Sequence, residues 1–297
     1  MAILKHVACQ CDAQGRPSSG PNAEAIGVWN EILVPKFTRF RKVLAGGFAD
    51  HSRQALERHP VHPGERVLDV GCGFGETTIE LAQTTGSALG MDCADAFLDV
   101  GRADAARAGI TGATFRCGDA QTEKFAAEFD VCFSRFGTMF FANPVAALAN
   151  LRRATRPGGR LLMLVWRRID DSPLWAIPKQ VARRHLPPPP DEAPKCGPGP
   201  FSLADPETLR GMLAAAGWRE AALEPIDGPV RAGDTADDAI AFQLAIGPAG
   251  EIVREAGALG DEKRPLILAD LRAALAPYTT ADGVVLPAGS WCVTARA

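Results

Sequence analysis

Short apolar segments alternate with helix-like segments between residues 66 and 166, and no other feature constrains the fold of this chain as strongly. The apolar segments have the length of strands, and the segments between them carry apolar residues at helical spacing. Such alternation favours right-handed crossovers and a parallel sheet that is covered by helices on both faces. The strands are predicted at residues 66–70, 88–92, 113–117, 129–134 and 161–166.

The flanking sequence adds helices and two further strands to this core. We therefore predict an α/β fold, Rossmann-like and doubly wound, with a mostly parallel seven-stranded sheet, a helical N-terminal cap and helical insertions. Proline clusters and breaks in periodicity set the expected boundaries. The predicted parts are a flexible tail at 1–21, the helical cap at 22–60, a ligand-binding core at 61–166, a loop-rich insertion at 167–204, and the rest of the core at 205–297 with a helical insertion at about 235–285.

Charge and hydropathy exclude several classes of function. The formal charge of −3 and the pI near 6.0 argue against a nucleic-acid partner, because proteins that bind phosphate backbones normally carry a basic excess. No apolar stretch of the sequence approaches the ~20 residues needed to span a bilayer. Lys5 and His6 interrupt the segment where a secretory signal would need its apolar core. We therefore expect a cytoplasmic protein without membrane insertion.

Cys9 and Cys11 are the one closely spaced pair among the eight cysteines. Together with Cys196 they could seed a site for a thiophilic metal. Zinc-type sites usually need two close pairs, however, and this pair lies in the predicted tail. No metal site is predicted, and the other cysteines are interpreted as reduced.

A glycine-rich turn follows the first predicted strand, with the pattern Asp-x-Gly-x-Gly-x-Gly over residues 69–75. Glycines let a ligand touch the backbone, because no Cβ stands in the way. A dinucleotide fingerprint, G-x-G-x-x-G counted from Gly71, would need its third glycine where this chain has Glu76. An acid at a helix N-terminus repels a pyrophosphate. The turn instead suits a ligand that carries an ammonium and a sulfonium.

Residues 69–75 resemble the first motif of class I S-adenosylmethionine-dependent methyltransferases. The resemblance implies that the glycine turn faces the methionine part of the cofactor, that Asp92 grips the ribose hydroxyls, and that Asp119 meets the adenine amine. Ser134 and Arg135 would lie beside the methionine end. The cofactor-binding residues implied in this way are Asp69, Gly71, Cys72, Gly73, Gly75, Asp92, Cys93, Phe97, Asp119, Ala120, Ser134 and Arg135.

A weaker resemblance extends beyond this block. Residues 134–141, SRFGTMFF, and the helical insertion before Trp291 resemble a bacterial subgroup similar to ubiquinone/menaquinone-biosynthesis methyltransferases, which acts on many substrates. Trp29, Phe136 and Met139 are expected to line the substrate pocket or a lid over it. No residue is predicted to be catalytic. The histidines without a surrounding motif, interpreted as surface or loop residues, are His51, His59, His62 and His185.

The sequence therefore predicts methyl transfer from S-adenosylmethionine, with S-adenosylhomocysteine as product, to a small organic molecule by in-line displacement. The first alternative is a catalytically silent cofactor-binding subunit. A second, an NAD(P)-dependent oxidoreductase, is disfavoured by Glu76. A nucleic-acid methyltransferase is disfavoured by the acidic charge and because residues 134–137 lack an Asn/Asp-Pro-Pro-aromatic run. The acceptor and the oligomeric state are left open.

Overall fold

A mixed sheet forms the centre of the computed structural model, which describes residues 22–188 and 197–297. Its order is β3-β2-β1-β4-β5-β8-β6, with the short β7 paired to β8. The predicted tail and the three cysteines Cys9, Cys11 and Cys196 lie outside the described residues. The strands are β1 Val67–Val70, β2 Ala88–Asp92, β3 Ala113–Cys117, β4 Phe129–Arg135, β5 Thr155–Trp166, β6 Arg219–Gly233, β7 Thr279–Thr280 and β8 Gly283–Arg296.

Strands β1 to β5 pair in parallel, whereas β8 is inserted antiparallel between β5 and β6. Leu68, at the centre of β1, is opposite Leu89 of β2 and Cys132 of β4. The carboxyl ends of β1 to β4 therefore meet at one edge, where ligands bind in doubly wound sheets. The predicted Rossmann-like, mostly parallel sheet is confirmed, with seven strands in continuous order and β7 as a short addition.

Helices cover both faces of the sheet and its carboxyl edge. Three short helices and two π-helical turns, Trp29–Leu33 and Lys42–Gly47, form the predicted N-terminal cap. The helices are α1 Ala23–Val28, α2 Val34–Arg39, α3 Ala49–Arg58, α4 Glu76–Thr85, α5 Asp95–Ala108, α6 Pro144–Ala154, α7 Pro173–His185, α8 Pro206–Ala215, α9 Ala236–Ala245, α10 Pro248–Glu255 and α11 Ala258–Leu275.

The prediction of a loop-rich insertion at residues 167–204 is wrong for α7, which occupies thirteen of those residues. Its prolines do not break the helix. Pro173 lies at the first turn, where a missing N–H costs nothing, and Pro178 is accommodated inside the helix. Burial of Leu174 and Trp175 against the insertion helices offsets the weak local propensity.

The predicted helical insertion at about 235–285 consists of three helices, and it ends at Leu275 rather than near residue 285. Strand β8 begins at Gly283, well before the predicted final strand at Trp291, because Val284 and Leu286 extend the ladder with β6. Across the described ranges 22–188 and 197–297, no helix has both the length and the apolar composition of a bilayer span.

Candidate functional site

A cavity of about 1110 Å³, counted with its open mouth, lies between the N-terminal cap and the carboxyl ends of β1 to β4. Crossover loops at this edge bring together residues that are far apart in sequence. Eleven of the fifteen predicted site residues line it: Trp29, Gly71, Cys72, Gly73, Asp92, Cys93, Phe97, Asp119, Ala120, Arg135 and Phe136.

Asp69 does not line the cavity, contrary to the prediction that it contacts the cofactor. Its side chain is fully buried beneath the glycine turn. Its Oδ2 accepts hydrogen bonds from the hydroxyls of Thr77, at 2.8 Å, and Thr78, at 2.7 Å. Burial raises the pKa of Asp69 to about 6. The carboxyl group therefore ties β1 to the start of α4 and supports the turn from below.

Three other predicted residues also lie behind the cavity wall. Gly75 packs so tightly that a Cβ would stand 2.5 Å from the ring of Phe115. The Ser134 hydroxyl donates to the carbonyl oxygen of Val70 at 2.8 Å, which joins β4 to β1. Met139 is buried, with its sulfur 3.5 Å from the backbone nitrogen of Trp166. These residues shape the site without facing it.

Two glycines of the turn differ in what surrounds them. Gly71 has a φ of 65°, and a Cβ there would lie 2.7 Å from the Cα of Gly137, so the two loops touch through bare backbone. Gly73 has a φ of 54°, and a Cβ there would meet no atom within 4 Å. The turn therefore needs glycine at both positions for its conformation, but only Gly73 presents open backbone to the cavity.

The carboxylate of Asp92 is held at the cavity wall by two backbone donors. The N–H of Gly73 donates to its Oδ2 at 2.9 Å, and the N–H of Ala94 donates to its Oδ1 at 3.0 Å. Burial raises the pKa of Asp92, and these two hydrogen bonds partly oppose the rise. The backbone and thiol of Cys93 also act to lower the pKa of Asp92 by hydrogen bonding. The arrangement fixes two acceptors at the end of β2.

A second carboxylate, Asp119, follows β3. Its Oδ1 accepts from the side-chain amide of Asn22 and from the N–H of Gln121, both at 2.9 Å. Its Oδ2 accepts from the hydroxyl of Thr122 at 3.0 Å. Asp119 is thus both a turn residue and a cavity residue.

Arg135 is the only Lys or Arg side chain among the described residues that line the cavity. Its Nη1 donates to the carbonyl oxygen of Ala45, at 3.3 Å, and so connects the end of β4 to the cap. Burial lowers the pKa of Arg135, whereas the charges of Glu76 and Asp69 oppose that shift. The guanidinium group is therefore placed to meet an anionic group of a ligand.

Aromatic rings form two clusters around the cavity. Near β2, Trp29 packs edge-to-face on Phe37 and Phe140, with ring centroids 5.0 Å apart in each pair. Near β4, Phe136 stacks on Trp166 at 3.9 Å and contacts Phe48 at 5.6 Å. Phe136 adopts a φ of 60°, which is unusual for a bulky side chain and is retained where packing over-determines it.

Sequence reasoning missed several cavity residues, of which Asn22, Phe37, Phe48, Glu76, Phe140 and Phe141 contribute side chains. Phe140 and Phe141 lie in the SRFGTMFF run and could have been chosen from it. In the sequence Glu76 indicates only that the turn does not bind a dinucleotide. In the structure its Oε1 lies 2.8 Å from Nη2 of Arg41. Asn22 gives no local signal beyond a helix start.

The interpretation of His51 as a surface or loop residue is wrong. Its side chain is fully buried, and its Nδ1 lies 2.8 Å from the hydroxyl of Ser290. Burial lowers its pKa to about 4. The ring lies edge-to-face against Phe136 and Trp166, behind the cavity wall. It is a packed core residue.

Comparison with known proteins identifies the central block. Residues 67–159 match a family model described as a methyltransferase domain. This chain contains a methyltransferase domain. The match spans β1 to the start of β5, and it agrees with the predicted enzyme class.

Three similar proteins extend the comparison of this methyltransferase. The chain is 31% identical over 156 residues to the ubiquinone/menaquinone biosynthesis C-methyltransferase of Bdellovibrio bacteriovorus, covering 50% of this chain and 65% of that relative, just under two thirds of its length. The crystal structure of a protein from Bacillus halodurans that is described as a putative methyltransferase has a TM-score of 0.53 at 19% identity and covers 82% of this chain and 97% of that one. Phosphoethanolamine N-methyltransferase 2 of Haemonchus contortus, in complex with S-adenosyl-L-methionine, has a TM-score of 0.51 at 17% identity and covers 83% of this chain and 52% of that one.

Proposed function

We propose that this methyltransferase transfers the methyl group of S-adenosylmethionine to a small organic acceptor by in-line displacement. The observation that carries the proposal is the Asp92 carboxylate, which the Gly73 N–H holds at the cavity wall. A carboxylate at the end of β2 suits a ribose, because each oxygen can accept a hydroxyl hydrogen bond. A small acceptor is favoured over nucleic acid by the net charge of −3.

The charges of the cavity fit the cofactor group by group. Asp92 would accept hydrogen bonds from the ribose hydroxyls, and Asp119 would accept one from the adenine amine through Oδ2. Arg135 would pair with the carboxylate of the methionine part. The open space at Gly73 admits a ligand against the backbone, as the fit requires. When bound, S-adenosylmethionine supplies a methyl group activated by its sulfonium.

The chain itself would act mainly by positioning. Phe48 and Phe136 wall the part of the cavity beside Arg135, and they would exclude water and orient an apolar, carbon-rich acceptor. Alignment of two reactants in this way can contribute on the order of 7–11 kcal/mol to lowering a barrier.

Calorimetry with S-adenosylmethionine, S-adenosylhomocysteine and NADPH tests the cofactor assignment. We expect micromolar binding of the first two and none of the third. Incubation of the protein with methyl-labelled cofactor and a metabolite extract should then yield a labelled small molecule. Binding without any labelled product would favour the silent-subunit alternative, whereas NADPH binding alone would favour an oxidoreductase.

A further inference from the structure

Asn22 lies at the N-terminus of α1, and within residues 22–188 and 197–297 its buried side chain bonds to two distant segments of the chain. Its Nδ2 donates to Oδ1 of Asp119 at 2.9 Å, across 97 residues of sequence. Its Oδ1 accepts from the N–H of Ala142 at 2.7 Å, across 120 residues. The side chain is 4% exposed, so both bonds are shielded from water.

Asn22 occupies the N-cap position of α1, but its side chain does not cap the helix. Asn is a preferred N-cap residue because its side-chain oxygen accepts an N–H of the first turn. Asn143 caps α6 in this way, accepting from the N–H of Ala146 at 3.0 Å. Asn22 makes no such bond to α1. Its side chain serves the tertiary contact instead of the helix.

The contact is one of three hydrogen bonds that orient the Asp119 carboxylate at the cavity. Asn22 and the Gln121 N–H both bond to Oδ1, and Thr122 bonds once to Oδ2. A carboxylate offers about four acceptor directions, so the remaining direction on Oδ2 is free for a ligand. A neutral amide donor on Oδ1 fixes the carboxylate rotamer without cancelling its charge.

The same amide also restrains an aromatic wall. Ala142 directly follows Phe140 and Phe141, which line the cavity, and Phe140 packs on Trp29 of the cap. One buried side chain therefore joins the cap, the Asp119 loop and the segment after β4.

We propose that Asn22 is a positioning residue for the cofactor. It holds the Asp119 carboxylate in the orientation in which Oδ2 can accept a hydrogen bond from the adenine amine. It also keeps the Phe140–Phe141 segment against the adenine end of the cavity. This inference rests on the proposed function, because it assigns the adenine to Asp119.

Calorimetry of S-adenosylhomocysteine binding to the full chain tests it. Asn22→Ala should weaken binding about tenfold, as expected for loss of a bond that orients a charged acceptor. Asn143→Ala is the matched control, since it removes the side-chain cap of α6 at a residue that does not line the cavity, and it should lower the melting temperature without changing the dissociation constant. In the background of Asp119→Ala, Asn22→Ala should cost less affinity than in the wild type, because only its bond to Ala142 is then left to lose.

A ligand variant isolates the adenine contact. S-inosylhomocysteine carries an oxygen where the adenine amine would be, so the wild type should bind it more weakly than S-adenosylhomocysteine. Asn22→Ala should lose less affinity for this ligand than for S-adenosylhomocysteine. If Asn22→Ala does not fold, Asn22→Asp serves as a second variant. It retains an acceptor for the N–H of Ala142 but places a second carboxyl group against Asp119, so it should also weaken S-adenosylhomocysteine binding.

Equal affinity of the wild type, Asn22→Ala and Asn143→Ala for S-adenosylhomocysteine would overturn the inference while leaving the proposed function intact. An equal loss with the adenine and the inosine ligands would overturn it as well, since the effect would then not pass through the amine. Failure of the wild type to bind S-adenosylhomocysteine would instead overturn the proposed function, and this inference with it.

Discussion

At the end of the cavity formed by β1 and β2, the Asp92 carboxylate is oriented by backbone N–H groups, whereas at the end formed by β4 and the cap Phe48 and Phe136 form an aromatic wall. The first end is built within a single stretch of crossover loops, and Gly73 and Asp92 are only 19 residues apart. The second brings Phe48 of the cap to Phe136, which belongs to a different part of the chain.

This difference separates two tasks. Backbone donors present the same geometry whatever side chains surround them, so the first end suits a ligand shared by a whole family. Side-chain walls change with every substitution, so the second end suits the acceptor, which differs between relatives. The family match over residues 67–159 covers Gly73, Asp92 and Phe136 but omits Phe48 and the rest of the cap, so the second end lies partly outside the matched block.

Gly73→Val should have the largest effect of the substitutions considered, because it should abolish cofactor binding at the first end of the cavity. A branched side chain at a φ of 54° would occupy the open space that the proposal assigns to the cofactor, so calorimetry should detect no S-adenosylhomocysteine binding. The strain should cost roughly 1–3 kcal/mol of unfolding free energy.

Gly71→Val provides the contrast, because its Cβ would clash with Gly137. Its melting temperature should fall further than that of Gly73→Val. A Gly73→Val protein that binds normally would remove the backbone contact from the proposal.

Two buried titratable groups behind the cavity wall, His51 and Asp69, should change the free energy of unfolding with opposite dependence on pH. The His51 pKa falls from 6.5 to about 4 on folding, so the unfolded chain binds more protons between these values and stability is lost as the pH falls. The Asp69 pKa rises from 3.8 to about 6, so stability is lost as the pH rises through that window. Each effect amounts to roughly 3 kcal/mol at most.

Denaturant unfolding between pH 4 and 6.5 measures both effects. The wild type should change little, because the two contributions oppose each other. His51→Gln should become more stable on acidification, and Asp69→Asn should become less stable. Parallel curves for the two variants would contradict the buried environments of both residues.

Asp92→Ala should weaken S-adenosylhomocysteine binding about tenfold to a few hundredfold, because a hydrogen bond to a charged group contributes roughly 1.5–3 kcal/mol. Asp92→Asn should lose part of this, since an amide accepts through one oxygen only. Calorimetry and thermal melting of both variants distinguish ligand binding from support of the turn through Ala94. Lowered stability with unchanged affinity would contradict the ribose role.

Phe136→Leu should produce the smallest effect and test the second end. Loss of the stack on Trp166 should reduce kcat/KM for the acceptor by about tenfold, near the upper range for one aromatic pair, and leave the cofactor dissociation constant unchanged. Phe97→Leu, at the other end of the cavity, is the control. It should weaken cofactor binding and leave kcat/KM for the acceptor unchanged. The acceptor found by label transfer serves as substrate. Equal effects of both variants on cofactor binding would show that the two ends are not separate.

Local patterns in the sequence were sufficient for the sheet, the glycine turn and the carboxylates Asp92 and Asp119. Strand and helix periodicities are short-range, and the carboxyl ends of parallel strands meet at one edge by topology. The family resemblance of residues 69–75 supplied the particular residues, and eleven of the fifteen predicted site residues line one cavity. The same reasoning misjudged α7, because proline content was interpreted without the burial that stabilises the helix.

Only the tertiary structure decided which way the side chains face. Asp69 belongs to the glycine motif, yet it points beneath the turn to Thr77 and Thr78, while Asn22 reaches Asp119 from 97 residues away. Burial of His51 against Trp166 is likewise a product of packing between distant segments. The sequence by itself determines which helices, strands and turns neighbouring residues form. The partner of a buried polar group depends instead on which distant segment packs against it, because a buried polar group needs a hydrogen bond and the fold decides where one is available.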